Sequence, residues 1–295
     1  MAKNTERKLR FNIIDVLIIV LVAALGIAAV ALRNRSSESG GRQIETYPMS
    51  FTVELQSAPE GMLEQMKPGK NIYRSTDGTY LGTIKSVSAA PHSEIKYSET
   101  SGAFEELSYQ ENLDIRVTIE NQGYSGLRET VIGSLAVRVG DELPVKGQGF
   151  AKAGFVVAVD TQGAPIAQDQ NTGSGELEAV YEFSFTDCRD FVPEYYHVGD
   201  RLYDKLSGSL LGVIEKVETA PHFETQMGQG GGSAYVEKPG RLDVVLTLRG
   251  HAVEKADGYY LDGGQELKVG ATSQALSQFI NRTGQFLRLV SLEKK

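Results

Sequence analysis

The sequence predicts a mainly β protein in which one N-terminal transmembrane helix precedes two tandem homologous modules, each a small β-barrel or sandwich. Three observations lead there. Residues 66–92, MKPGKNIYRSTDGTYLGTIKSVSAAPH, return as residues 196–222, YHVGDRLYDKLSGSLLGVIEKVETAPH, with Gly69, Tyr73, Gly78, Leu81-Gly82, Val87 and Ala90-Pro91-His92 all repeated at one shift of 130 and no gap. That regularity marks an internal duplication. Residues 13–32, IIDVLIIVLVAALGIAAVAL, form an apolar run long enough to cross a bilayer core as one helix. The rest reads as short runs of alternating apolar and polar residues with turn signals every ten residues or so, the pattern of a small barrel or sandwich.

Composition narrows the function. The chain has 295 residues, a net charge of −8 and a single cysteine, Cys188. The first 43 residues carry Lys3, Arg7, Lys8, Arg10, Arg33, Arg35 and Arg42 against Glu6, Asp15 and Glu38, so the segment is +4 and the remainder −12. An acidic body repels phosphate backbones, which argues against nucleic acid. One cysteine excludes an intrachain disulfide, and four histidines without repeated His/Cys spacing argue against a zinc site. No cofactor is expected.

The chain divides into a basic flank (1–11), a membrane helix (12–32), a tether (33–46), a first β repeat (47–160), a linker (161–178) and a second β repeat (179–295). Basic residues crowd the amino-terminal flank, so the positive-inside rule puts the amino terminus in the cytoplasm and the bulk of the chain outside, on a single-pass anchor in the cell membrane. A cleaved signal peptide is the rival reading, with Ala29-Val30-Ala31 as the cleavage mimic, but the apolar run is longer than such a core. Asp15 is read as a first-turn residue behind an Asn12 cap, where the helix dipole favours negative charge. The tether, RNRSSESGGRQIE over 33–45, is polar and aperiodic, as a flexible spacer is.

In the first repeat, Ser50–Leu55 alternates as a half-buried strand, Met62–Met66 allows one helical turn, and Asn71–Arg74 and Tyr80–Val87 are strands joined by the hairpin signal Asp77-Gly78. After His92 the pattern breaks for about twenty residues, SEIKYSETSGAFEELSYQEN, which reads as a protruding excursion. Alternation resumes at Leu113–Ile119, and Thr130–Ile132, Leu135–Asp141 and Gly154–Val159 complete six or seven short strands. The linker TQGAPIAQDQNTGSG leads to Tyr181–Phe185, which repeats Phe51–Leu55. A second excursion, FETQMGQGGGSAYVEKPG, follows His222, then Leu242–Leu248 matches Leu113–Ile119. Ser273–Ile280 departs from its counterpart and reads as two helical turns.

Phe11–Leu17, Pro68–Tyr73, Leu81–Ile84, Ile132-Gly133 and Val137–Asp141 together resemble the bacterial family catalogued as domain of unknown function 4330. The likeness covers residues 11–160 once, and its soluble part fits again on 180–291. It implies a single-pass envelope protein without an assigned activity, and supplies no catalytic residue. A looser likeness, in order of elements alone, is to lipid-handling modules of mammalian-cell-entry type, which imply ring assembly.

The search for chemistry returns little. His92 and His222 each follow Ala-Pro, where a histidine serves as a base or, more ordinarily, caps a strand end. Cys188 lies beside Asp187, Arg189 and Asp190 with His197 nine residues on, but Ala58 stands at its place in the first repeat. Asp114 and Asp243 read as outward-facing strand residues. No nucleophile elbow, phosphate loop or metalloprotease helix occurs. What remains is binding by exposed loops on rigid scaffolds, with His92, Tyr97, Phe104, Tyr109, His222, Phe223 and Tyr235 as contacts for a protein partner or sugar rings. The function expected is a non-enzymatic, membrane-anchored extracytoplasmic binding or scaffolding protein of an envelope assembly, with the lipid bilayer (through 12–32), a protein partner or second copy, and surface polysaccharide as its partners. The alternative is a lipid-transport subunit forming a homo-oligomeric ring.

Overall fold

A computed structural model describes residues 45–165, 175–227, 232–261 and 264–294. The basic flank, the expected membrane helix and nearly all of the tether lie outside these residues. Among the described residues no helix is long and apolar enough to cross a membrane.

Thr46–Lys295 forms one compact unit that is mainly β. Its first half contains β1 (Tyr47–Pro59), β2 (Asn71–Arg74), β3 (Tyr80–Ser98), β4 (Ala103–Ser125), β5 (Thr130–Ile132), β6 (Leu135–Val137), β7 (Glu142–Gly147) and β8 (Phe150–Asp160). The second contains β9 (Leu177–Arg189), β10 (Arg201–Asp204), β11 (Leu210–Met227), β12 (Ser233–Lys255), β13 (Gly258–Leu261), β14 (Gln265–Glu266), β15 (Thr272–Leu276) and β16 (Asn281–Lys294). The first sheet runs β1-β8-β7-β2-β3-β4-β5-β6, and β1 also pairs β4, so six strands close on themselves and β5–β6 hangs from the end of β4. The second runs β11-β10-β15-β16-β9-β12-β13-β14, with β11 also paired to β12. Replacing each strand by its repeat partner turns one closed ring into the other. Closure decides for barrels over sandwiches and leaves the ring without a free edge.

The register carries the duplication to single residues. Val53 faces Val117 across β1 and β4, and Phe183 faces Leu246 across β9 and β12. The repeated Leu-Gly also has a physical cause: a Cβ on Gly82 would lie 2.3 Å from the Glu120 carbonyl oxygen, and one on Gly212 would lie 2.8 Å from the equivalent oxygen of Arg249. Backbones cross there at a distance only glycine permits. Inward positions fill both interiors. Met49, Phe51, Val53 and Leu55 line the first, while the second is more aromatic, with Phe183 against Phe286 at 5.0 Å and Tyr181 against Phe286 at 5.3 Å between ring centres. Buried residues of both rings belong to one continuous cluster, so the two repeats share a core.

Three expectations are corrected. Among the described residues the strands are eight per repeat rather than six or seven, and they are not all short: β3 and β4 have 19 and 23 residues. Both excursions are strand, because β3 pairs β4 as far as Ser98 with Ala103, and β11 pairs β12 as far as Met227 with Ser233. Two exposed strands bonded to each other satisfy their backbone without a core, so burial periodicity fades while the ladder continues. Finally, the stretch read as two helical turns forms β15 and a tight bend in which Ser277 N–H donates to the Ile280 carbonyl. Pairing with β10 and β16 outweighs its helical propensity.

Candidate functional site

The repeated Ala-Pro-His marks the point where each barrel hairpin becomes a free-standing arm. The proline contributes no ladder N–H, and the register slips beside it, between Pro91 and His92 in β3 and between Pro221 and Phe223 in β11. The histidine then turns inward. His92 Nδ1 lies 2.7 Å from Asp114 Oδ1, and His222 Nδ1 lies 2.7 Å from Asp243 Oδ1. An ionised carboxylate only accepts, so Nδ1 carries the proton in both rings. Each aspartate oxygen takes a second bond, from the backbone N–H of Ser57 at 2.9 Å or of Asp187 at 3.0 Å. Those two residues share a positive φ of 52° at the end of β1 and β9, a conformation most side chains avoid. The aspartates, expected on the wet side of a sheet, thus tie the arm's base to a strained turn of the neighbouring strand.

The other ring nitrogen faces a carboxylate too. His92 Nε2 is 3.5 Å from Glu94 Oε1 and His222 Nε2 is 3.9 Å from Glu224 Oε1, two residues along in both arms. Lys96 Nζ lies 2.6 Å from Glu94 Oε2 and 3.0 Å from Tyr109 Oη, and the Tyr109 ring stacks on His92 at 5.7 Å. The Lys96 hydrogen bond is the main reason the Glu94 carboxyl lies below its ordinary value. In the second arm Lys238 takes Tyr109's place and bonds Glu224, with its Nζ 3.5 Å from Asp187 Oδ1.

Asp187, His222 and Glu224 are the arrangement among the described residues that comes nearest to a metal site, their ligand atoms lying within 4.8 Å of one another. The Lys238 ammonium already bridges the two carboxylates, and Arg241 adds a guanidinium nitrogen 3.5 Å from Asp187 Oδ1. A divalent cation would have to displace that lysine. Cys188 is fully buried, and burial pushes its thiol up to about 11, the reverse of what a nucleophile needs. His197 is engaged with Asp200, 3.2 Å away.

The remaining contact candidates stand on strands of the arms rather than on loops. Tyr97 and Phe104 face each other across the first arm, edge to face at 5.6 Å. Phe223 and Tyr235 stack on the second at 5.1 Å, with Tyr235 and Met227 largely exposed. Cross-strand register puts Ile95, Tyr97 and Phe104 on one face of the first arm and Phe223, Tyr235 and Met227 on the corresponding face of the second. The two arms start close together, since Ile95 Cδ1 lies 3.9 Å from where a Cβ on Gly240 would stand. Sequence reasoning found the histidines and missed their carboxylates. The signal was present as His-x-Glu repeated at 92–94 and 222–224, and as an aspartate one residue after the leucine that opens both matched strands.

Fold and site define a class, a tandem double-barrel β protein with one hairpin arm projecting from each barrel. The chain belongs to the family described as domain of unknown function (DUF4330), whose model matches residues 6–160. The match ends with β8, so the second barrel enters as the structural repeat of the matched one. No curated protein and no solved structure matches the chain.

Proposed function

We propose that this protein is a non-enzymatic binding or scaffolding component of a bacterial envelope assembly, anchored in the cell membrane through residues 12–32 with its amino terminus in the cytoplasm and its barrels outside. The observation that carries the proposal is the pair of arms. Each leaves a closed, filled barrel at a base locked by a His–Asp bond of 2.7 Å, and each displays paired aromatic rings on its corresponding face. Rigid projection of aromatic rings suits recognition, because little conformational entropy is lost on contact. The way the histidines are engaged supports a binding role over catalysis, since both ring nitrogens of each already face carboxylates of the chain. Sugar rings of a surface polysaccharide, or apolar side chains of a protein partner, are the chemistry such faces take. The alternative of a lipid-transport ring needs a pore shared between copies, because Phe51, Val53, Tyr181 and Phe183 fill the barrel interiors.

The test is crosslinking in cells with a lysine-reactive reagent on the full chain, whose lysines lie on the barrels as well as the arms, with both arms shortened to tight turns as the control. Adducts to a discrete envelope component that vanish on shortening are the expected result. Adducts unchanged by arm removal, or none outside the cytoplasm, overturn the proposal.

A further inference from the structure

The joint between the two barrels uses different faces of the two repeats. From the first come Phe155, Val159 and Val139, and from the second Arg189, Tyr195 and Phe279. Val159 N–H donates to Tyr195 Oη at 3.3 Å, Val139 N–H donates to the Phe279 carbonyl at 2.8 Å, and the Arg189 guanidinium lies 4.5 Å from the Phe155 ring centre. Arg128 of the first repeat covers the Tyr203 ring at 4.4 Å. A contact between unlike faces of like bodies leaves one copy of each face unused.

Both unused faces can be located. The shift of 130 places Val269, Leu287 and Leu289 where the first repeat has Val139, Val157 and Val159, and the equivalence is secured by register: Val159 faces Phe51, and Leu289 faces Tyr181. In the first repeat these valines are 5%, 7% and 8% exposed, whereas their counterparts are 65%, 38% and 40% exposed. Val290, beside them, is 52% exposed. At the opposite end, Tyr203, Ser277 and Gln278 are buried at the joint, and the matching residues Tyr73, Gly147 and Gln148 of the first repeat line an open groove of about 500 Å³. The chain therefore ends in a bare apolar ridge on one barrel and an unfilled groove on the other, the two halves of a contact it already makes internally.

We infer that a second copy of this chain fills that groove: the Val269–Leu287–Leu289 ridge of one molecule packs on the Tyr73–Gln148 groove of the next, head to tail. The valine ridge and the Tyr203–Gln278 positions have counterparts, but the other joint contacts do not: Gln65 stands in place of Tyr195, Gly149 in place of Phe279, Pro59 in place of Arg189 and Gln285 in place of Phe155, and Lys70 and Lys146 also line the groove. Association is accordingly reversible and weaker than the internal joint. Contacts of this kind extend to open chains or close into rings according to the rotation per step. The inference is independent of what the arms bind.

Sedimentation of the full chain in detergent micelles tests it, with the mass read over a range of concentrations. Wild type should grow with concentration, and L287K/L289K, which changes only exposed side chains, should remain monomeric. Direction is read with a short bis-maleimide linker on a mixture of Gln65→Cys and Leu289→Cys chains, Cys188 being buried. The expected result is a mixed dimer from the mixture and no product from either variant alone. A monomer at every concentration, unchanged association of L287K/L289K, or crosslinking of Leu289→Cys to itself through a like-with-like contact would each overturn the inference.

Discussion

Replacing Asp243 by alanine removes the acceptor that joins the second arm to the barrel. Its Oδ1 receives the His222 Nδ1 proton at 2.7 Å and the Asp187 N–H at 3.0 Å, and both bonds are charge-assisted. Such bonds contribute about 1.5–3 kcal/mol each when sheltered. The Asp243 side chain is 33% exposed, so water recovers part of that. Asp243→Ala should therefore destabilise the full chain by roughly 2–4 kcal/mol, and Asp243→Asn, which keeps a neutral acceptor, by about half as much. Chemical denaturation in detergent micelles gives the totals. Hydrogen exchange locates them, with faster exchange expected over residues 222–227 and 233–238 than over the matching first arm. A double-mutant cycle with His222→Ala should show coupling above about 1 kcal/mol, because the two side chains share one bond. Additivity within about 0.5 kcal/mol would refute the strut, as would an Asp243→Ala arm that exchanges like wild type.

Gly284→Ala should cost about 1–3 kcal/mol or more by overpacking, since its Cβ would meet Phe183 Cε1 at 2.3 Å; Gly154→Ala, whose Cβ would meet Leu55 Cδ2 at 2.5 Å and the Glu54 carbonyl oxygen at 2.6 Å, should behave alike, and a neutral outcome in thermal melts of either would contradict the packing. Burial opposes the charge on Asp204, but hydrogen bonds from Ser207 and Ser273 outweigh it and hold its carboxyl below the ordinary value. A folded-state value below the unfolded one means stabilisation that is complete above about pH 4 and lost as pH falls through the folded value. Asp204→Asn should therefore be less stable than wild type at neutral pH, with the gap narrowing in acid denaturation below that point. Cys188, with its thiol pushed up to about 11 by burial, should resist thiol reagents at neutral pH in the folded chain and react fully in denaturant.

The duplication was legible without coordinates because repeated glycines, strand starts and the Ala-Pro-His corner hold a constant spacing, and every shared turn needs the same residue at the same step. Gly82 and Gly212 show why such positions persist in both copies: each lies under a backbone carbonyl. The inward alternation of Phe51-Thr52-Val53-Glu54-Leu55 likewise named a strand with one buried face. The arms escaped that reading because no described residue of the second arm is fully buried and its more exposed face carries Phe223 and Met227 while its more covered face carries His222, Glu224 and Gln226, so hydrophobicity does not follow burial. Pairing across the chain was equally out of reach. Nothing local in Asp114 or Asp243 distinguishes a solvated strand residue from one that receives a histidine proton 21 or 22 positions away.

What the sequence by itself determined is the repeat and its β class, because those depend on local periodicity and on turns that only certain residues make. Tertiary structure alone decided that each sheet closes into a ring, that both rings share one core, and that Val159 is covered while Leu289 is bare. The reason is physical: burial is a property of what lies opposite a side chain, and two copies of one fold placed unlike face to unlike face give equivalent residues different surroundings.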